Sequence, residues 1–529
     1  MTGWAAILQA AATEYDAFCN ACANPRATQL ALLRRILRNN AQSAFGRAHE
    51  FAGIDDIQSF RAAIPIRGYD ELRPWIDRAA DGAPGVLTTA PVICCEETGG
   101  SASGGKLIPY TEAVLASFRA AVLPWLADLA RQRPAAVAGR AYVAISPAGR
   151  APCATAGGIP IGLASEGAYL GADLAEAFAD ILVVSPEVGG LAELSAWRRA
   201  TLLRLLAADD LTFMSVWSPT FLIGLVEALP ALAAPLIRAL QDGDRDPARL
   251  RVVECALARQ PIDTRAIWPQ LDTISTWAHG PSRAHADRLA QMFPAVHLQP
   301  KGLLATEAPV SIPWSGSPYP APALTSCVIE FIDDAGDARL ADELRAGEDY
   351  RVVITTPGGL YRYDLADRVR CRGFANGTAR LEFIGRAGIV SDLVGEKLTE
   401  AFVAEALRIL DEPAALVPRP EPRPHYELLI DTPRQTHLAA ASARIEQRLR
   451  ANPQYAYARA IGQLGAIAAR AVPGLALRIV TAMQARGRRM GDVKPIALIF
   501  DQSLVDMPAG PVDATDEFGH ASIEQSSNP

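Results

Sequence analysis

Residues 97 to 106 read Glu97-Thr98-Gly99-Gly100-Ser101-Ala102-Ser103-Gly104-Gly105-Lys106, and no other stretch restricts the fold as much. Glycines let backbone N–H groups converge on an anion with no Cβ in the way, hydroxyls add donors, and the closing lysine adds charge. The run stands between strand-like Pro91-Val92-Ile93-Cys94-Cys95 and a helical pattern from Thr111. In that position it reads as a phosphate loop or a plain Gly/Ser surface connection. A P-loop requires Ser or Thr after the lysine to hold magnesium, and it runs directly into a helix. Here Leu107 takes the metal-ligand position, and Pro109 disfavours helical turns.

Three further elements follow in order. They are Thr306-Glu307 within Lys301-Gly-Leu-Leu-Ala-Thr-Glu-Ala308, then Tyr361-Arg362-Tyr363-Asp364-Leu365-Ala366-Asp367, then Lys494 within Gly491-Asp-Val-Lys-Pro495. Gly157-Gly-Ile-Pro-Ile-Gly162 and the stretch from Arg35-Ile-Leu-Arg-Asn-Asn40 through Phe60 add to the pattern. In this order and spacing the chain resembles the adenylate-forming, firefly-luciferase-like superfamily. Within it the chain is most similar to the acyl-acid amido synthetases of the auxin-responsive promoter family, over nearly its whole length to about residue 500. The loop of that family reads roughly Ser-Ser-Gly-Thr-Ser-Ala-Gly-Glu-Arg-Lys-Leu-Ile-Pro; Thr98-Gly99, Ser101-Ala102 and Lys106-Leu107-Ile108-Pro109 match it. Gly100 replaces a threonine, Gly104-Gly105 an acidic-basic pair, and Ala366 a glycine.

The resemblance implies roles residue by residue. Thr98, Gly99, Gly100, Ser101 and Lys106 would bind the phosphates of ATP, Thr306 would hydrogen-bond a phosphate, and Glu307 would coordinate Mg2+, a hard cation that prefers oxygen. Asp367 would accept both ribose hydroxyls, and Lys494, carried by a rotating C-terminal unit, would reach the carboxylate and α-phosphate during adenylation. Arg386 and Lys397 are second-rank phosphate candidates. Trp277 and Ala278 would line the adenine site, and Phe213, Trp217 and Phe221 the acyl pocket. Each residue type also has a plainer use. Lys106 and Lys397 have a plainer reading as surface lysines, Thr306-Glu307 as a helix-capping pair, Asp367 as a partner for Arg368 or Arg370, and the aromatics as core.

The chain has 529 residues, half of them hydrophobic and 21% charged, with a formal net charge of −7, so no global basic field invites nucleic acid or anionic lipid. Arg486-Gly-Arg-Arg489 is the one notable basic run, either a solvated face or an aid to phosphate binding beside Lys494. Eight scattered cysteines suit a reducing cytoplasm, and Cys19-Asn-Ala-Cys22 lacks the second pair a zinc ribbon needs. His279 and His285 have no carboxylate at metal-ligand spacing. No uninterrupted apolar run reaches about 18 residues and no basic-then-apolar leader opens the chain, so the expectation is a cytoplasmic protein without a membrane span.

Helical periodicity covers about Trp4 to Ala48, then Ile57 to Ala62, then residues 111 to 131 with an interruption near Pro124, while Pro65, Gly68 and Pro74 mark turns. Strand-like runs recur at Ala141 to Ile145, Ile181 to Val184, Leu211 to Val216, Thr273 to Trp277, Cys327 to Ile332 and Arg351 to Thr355. Alternation with helices predicts an α/β fold: a large N-terminal domain with mixed sheets, residues 1–385, and a small mobile α+β domain, 386–504, hinged near Gly385-Arg386-Ala387-Gly388. Residues 505–529 read as a frayed tail. The expected activity is ATP-dependent activation of a small carboxylic acid to an acyl-adenylate, then transfer to an amine, most simply an amino acid, by a monomer or weak dimer. A thioester-forming ligase and a non-catalytic nucleotide binder on the same fold are the competing readings.

Overall fold

The computed structural model describes residues 3–98, 106–144, 153–163, 166–191, 193–243, 246–386, 388–394, 396–421, 423–460, 463–486 and 493–505. Four parallel strands, Arg140–Val143, Leu211–Ser215, Thr273–Thr276 and His297–Pro300, lie side by side in that order. The two central ones are buried along their whole length, as strands covered on both faces must be. One face packs Tyr142, Met214 and Ile274 with the helices Leu194–Ala207, Pro219–Glu227 and Leu229–Asp242. The other packs Ala141 and Phe213 with Gly3–Ala23 and Glu112–Gln132.

A second sheet is antiparallel, with strand order Ala338–Arg339, Val328–Ile332, Asp349–Thr355, Tyr363–Ala375, Thr378–Arg386. Asn376 (φ 51°) and Gly377 (φ 80°) join its last two strands, the Asn-Gly turn whose left-handed backbone matches strand twist. In a third sheet, Cys94–Glu97 pairs antiparallel with Leu107–Tyr110. Lys106 is therefore followed at once by a strand that pairs back on Cys94–Glu97, and not by the helix of a P-loop. Beyond Gly388 a three-stranded sheet, Ala414–Arg419, His425–Ile430 and Ala468–Ala471, packs with Glu400–Leu407 and Leu438–Leu449 around its own apolar cluster. The helix Leu475–Ala485 joins this unit to the core containing Phe221 and Leu222.

Several local expectations are corrected. Pro74 lies inside the helix Tyr69–Ala80 and Pro124 inside Glu112–Gln132. A helical proline costs on the order of 3 kcal/mol. Burial of Leu123, Trp125, Leu126 and Leu129 at about 1.5–3 kcal/mol each outweighs it. Ile181 to Val184 is not a strand: Ile181 ends a helix, and Leu182 makes a single bridge to Ala141. Glu112–Gln132 is long and apolar enough to cross a membrane by length and composition, yet it buries much of its surface against Gly3–Ala23 and the parallel sheet. Of the expected tail, its first residue Val505 is buried in the large core beside Leu504; residues 506–529 lie outside the described residues.

Candidate active site

The parallel sheet decides where the cavity opens. Trp217, Trp277 and Lys301 each follow the C-terminal end of a strand, where ligands bind in open α/β sheets. The backbone ladder continues past the strands to hold them: Val216 N–H donates to the Ser275 carbonyl (3.0 Å), Trp277 to Trp217 (2.9 Å) and Lys301 to Thr276 (2.8 Å). The two indoles tilt against each other with centroids 6.1 Å apart. They face a cavity of about 880 Å³ whose interior also includes Trp4, Phe118, Trp125 and Phe213.

Thr306 and Glu307 occupy the tip of a tight turn closed by the Ala305 N–H donating to the Ala308 carbonyl (3.1 Å). They do not cap a helix. Gly302 makes the approach to this turn possible, since a Cβ there would lie 1.9 Å from the Ser311 carbonyl oxygen. The Tyr110 hydroxyl donates to the Thr306 carbonyl (2.6 Å), and the Tyr363 hydroxyl to Glu307 Oε1 (3.4 Å). Glu307 is half-buried on the cavity wall. Burial, and then the Asp367 charge, hold its carboxyl above the ordinary carboxylate range, while Lys494 and Arg386 pull the other way.

Asp367 and Arg386 face each other across the Asn-Gly hairpin, and Arg386 Nε donates to Asp367 Oδ1 (3.1 Å). The alternative partners are taken elsewhere: Arg368 pairs with Asp334 (2.9 Å) and Arg370 with Asp349 (2.6 Å). Ala366 adopts φ 58°, the left-handed region that favours glycine. Its N–H donates to Asp364 Oδ1 (2.8 Å), and this local twist precedes the buried Asp367. The alanine that stands where the family has glycine thus adopts a backbone conformation that glycine favours.

From the C-terminal unit, Lys494 reaches the same cavity with its Nζ 5.6 Å from the Trp277 ring centroid. The following residues dock on the small sheet, where Ile499 N–H donates to the Leu416 carbonyl and Leu416 N–H to Ala497 (2.8 Å each). Glu400, at the start of Glu400–Leu407, lines the cavity beside it and accepts from the Ala497 N–H (3.4 Å). Burial raises its carboxyl to about 7, against the opposing effects of the Ala497 N–H, Arg386 and Lys494. Sequence reasoning missed Glu400, although it stands at the end of the Gly-Glu-Lys-Leu-Thr-Glu run; a buried acid and a capping acid look alike in sequence.

Thr98 and Lys106 clamp the base of the glycine-rich loop, Thr98 N–H donating to the Lys106 carbonyl (2.9 Å). Lys106 lines the cavity with Nζ 5.3 Å from the Tyr69 ring centroid, so it is not a solvated surface lysine. Gly99, Gly100 and Ser101 lie outside the described residues. The cavity thus brings together Thr98, Lys106, Phe213, Trp217, Trp277, Ala278, Thr306, Glu307, Asp367, Arg386 and Lys494. Two expected residues are not there. Phe221 is turned into the helical layer, edge-on to Trp197 (centroids 5.7 Å), because the chain enters the helix Pro219–Glu227 just before it. Lys397 is exposed, away from the cavity, at φ 48°. Arg486 lines the cavity and bonds Asp501 and Ser503; the rest of its basic run is outside the described residues. His279 is stacked on Tyr319, where burial lowers it to about 4, and His285 is buried in a helix.

With this geometry established, comparison with known proteins is specific. Residues 14–298 match the GH3 family N-terminal domain and residues 323–386 the GH3 family central domain. A probable indole-3-acetic acid-amido synthetase of Oryza sativa subsp. japonica is 25% identical over 439 residues, 70% of either chain. A jasmonoyl–L-amino acid synthetase of Nicotiana attenuata is 25% identical over 438 residues, 73% of this chain and 74% of that one. Among solved structures, the GH3.15 acyl acid amido synthetase in complex with 2,4-DB superposes with TM-score 0.83 at 18% identity, covering 94% of this chain and 95% of the other. The fold extends to a 2-hydroxyisobutyryl-CoA ligase in its postadenylation state (TM-score 0.57, 14% identity, 91% and 90% covered). One domain of the family accounts for more than half of the sequence and its central domain follows in order, so the chain belongs to the GH3 family.

Proposed function

We propose that this protein is an ATP-dependent acyl-acid amido synthetase. It joins a carboxylic acid to ATP as an acyl-adenylate with release of pyrophosphate, and then passes the acyl group to an amine, an amino acid being the acceptor of choice. The observation that carries this reading is the meeting, in one cavity, of an aromatic interior with Lys106, Thr306, Glu307, Asp367, Arg386 and Lys494. The names of the amido synthetases that resemble the chain over about 70% of its length support the same reaction.

In the first step a carboxylate oxygen attacks the α-phosphorus and the bond to the pyrophosphate oxygen breaks. Two anions must approach, so the site needs cations and oriented donors where charge builds up. Lys494 offers its ammonium to the carboxylate and α-phosphate, Lys106 and the loop beginning at Thr98 cradle the outer phosphates, and the buried Asp367 accepts from ribose hydroxyls while Arg386 fixes its orientation. In the second step the amine nitrogen attacks the acyl carbon and AMP leaves with the electrons of the C–O bond.

A magnesium ion, when bound, neutralises phosphate charge. Among the described residues no three His, Cys, Asp or Glu gather into a metal cage. A single carboxylate beside substrate phosphates is the donor set magnesium tolerates, and Glu307, raised by burial and Asp367, gains from a cation. Division at Gly388, with residues 386–504 as a lid, is supported by that glycine's open surroundings at φ 88° and by the separate apolar cluster beyond it. The unpaired cysteines suit a reducing cytoplasm.

The test is carboxylate-dependent exchange of labelled pyrophosphate into ATP across aryl, indolyl and aliphatic acids, followed by product analysis with amino acids or coenzyme A as acceptor. Exchange followed by amide supports the reading, exchange followed only by thioester moves it to the ligase branch, and ATP binding without exchange for any acid refutes it.

A further inference from the structure

Glu400 has no part in the chemistry assigned above, and its surroundings are unusual for an acid. The residue is only 5% exposed, yet it lines the cavity. Among the described residues its carboxylate has one hydrogen bond, the long contact from the Ala497 N–H (3.4 Å), and no ion pair. It does not cap its own helix, because Thr399 Oγ1 fills that role by accepting from the Phe402 N–H (3.2 Å). A buried carboxyl so thinly bonded costs stability, and glutamine has the same shape without the charge.

The other acids on the cavity wall are committed elsewhere. Glu96 accepts from the Leu163 N–H (2.7 Å), Glu97 has a partner of its own, Glu307 is bonded by Tyr363, Asp367 by Arg386, and Asp501 by Arg486 and Ser503. Glu400 also stands beside the hinge. Its backbone N–H donates to the Ile389 carbonyl (2.9 Å), Thr399 pairs with Val390, and a Cβ on Gly385 would lie 3.1 Å from Ala401 Cα. A turn about Gly388 moves atoms in proportion to their distance from the axis, so this carboxyl stays close to the cavity when the lid moves. Burial raises it to about 7, with Asp367 acting in the same direction and the Ala497 N–H, Arg386 and Lys494 against. It is therefore a much better base toward an ammonium group than an ordinary carboxylate, and a better one than His279, which burial lowers to about 4.

We propose that Glu400 is the catalytic base of the second step, taking a proton from the ammonium group of the acceptor amine. The inference rests on the amido synthetase reading. An amine arrives protonated, and its nitrogen has no electron pair to offer until that proton is gone. The proton passes to the Glu400 carboxylate, the freed pair attacks the acyl carbon, and the C–O bond to the phosphate breaks with its electrons going to AMP. The nitrogen then sheds its surplus proton to the departing phosphate, and Glu400 returns its own to water.

The test uses the full-length enzyme and whichever of benzoate, indole-3-acetate and hexanoate supports pyrophosphate exchange. Acyl-adenylate is formed on the enzyme and mixed with an amino acid or with hydroxylamine, which is largely uncharged at neutral pH, and amide formation is followed in a single turnover. Glu400→Gln should slow the reaction of the amino acid by about 10²-fold, the scale on which a general base acts, and that of hydroxylamine by less than about tenfold, since no ammonium proton has to be removed. Any loss of pyrophosphate exchange should be at least about tenfold smaller than the loss of amide formation. With the amino acid, the wild-type rate should rise with pH through about 7, whereas the variant should rise only at the higher pH where the free amine itself loses its proton. Glu400→Asp, which keeps the carboxylate, should retain part of the rate, and melting curves show whether each variant is folded. Amide formation by folded Glu400→Gln within about threefold of wild type overturns the inference and leaves the adenylation reading standing, as does an equal loss with both acceptors. Exchange with none of the acids fails the adenylation reading and the inference with it, and exchange without amide from either acceptor fails the inference together with the amide half of that reading.

Discussion

At the outer end of the cavity the polar side chains hang from short-range backbone devices, whereas the aromatic inner end is assembled from elements far apart in the chain. Thr306 and Glu307 share one turn, and Asp367 meets Arg386 through a hairpin closed by two residues. Trp4 and Trp125 come from two helices, Phe213 from the middle of a strand, and Trp217 and Lys301 from just beyond two strand ends. Charge transfer at phosphorus demands particular groups at particular places, so the outer end tolerates few residue types. An apolar pocket demands volume and shape, which many combinations supply.

The comparison can be broken by substitution. The largest effect is expected at the outer end: Lys494→Ala should lower carboxylate-dependent pyrophosphate exchange by about 10²- to 10³-fold with ATP binding retained, since a donor acting at the transition state is lost. Exchange rates within tenfold of wild type would remove Lys494 from the chemistry. Next, Phe221→Ala should cost on the order of 3 kcal/mol in urea unfolding through the cavity it leaves beside Trp197, with the ranking of acids unchanged. Phe213→Ala, in the cavity wall, should instead alter that ranking. A change of ranking in Phe221→Ala would return that residue to the pocket.

A third test concerns Glu400, whose carboxyl burial raises to about 7 from an ordinary value of 4.5. The folded state therefore retains a proton that the unfolded chain releases between those values. The corresponding stability is fully present below about pH 4.5 and is lost as pH rises through about 7. Glu400→Gln keeps an acceptor for the Ala497 N–H and cannot ionise. At pH 8 it should exceed the wild type by on the order of 2 kcal/mol in urea unfolding, and at pH 4 the two should be alike. Equal stabilities at pH 8 would mean that Lys494 and Arg386 offset the burial. The smallest effect belongs to the exposed Lys397: Lys397→Ala should change exchange rates by less than about twofold and stability by less than about 0.5 kcal/mol. A larger drop in exchange would show that this lysine reaches the phosphates.

How much was legible beforehand follows the same division. The Thr306-Glu307 pair, Asp367 and Lys494 were readable because order and spacing of chemically constrained residues identify them. Trp217 was readable as following a strand-like run and Trp277 as ending one, but nothing in Phe213-Met-Ser-Val-Trp-Ser-Pro-Thr-Phe221 distinguishes Phe213, which faces the cavity, from Phe221, which faces the helical core. Pro219 begins a helix between them and changes the periodicity from two to 3.6. Lys301 was in view as the first residue of the run ending in Thr-Glu, yet as a lysine after a strand it gave no sign of burial.

The residue order alone determined the α/β class and the family, and picked out the motif residues that the cavity gathers, because local periodicity and short motifs are properties of neighbouring residues. Tertiary structure alone decided that Pro124 stays helical, that Arg386 and not Arg368 holds Asp367, that Glu400 is buried beside Lys494, and that Lys301 stands between two indoles. These depend on burial and on pairings between residues up to hundreds of positions apart, and such energies exist only once the chain has closed on itself.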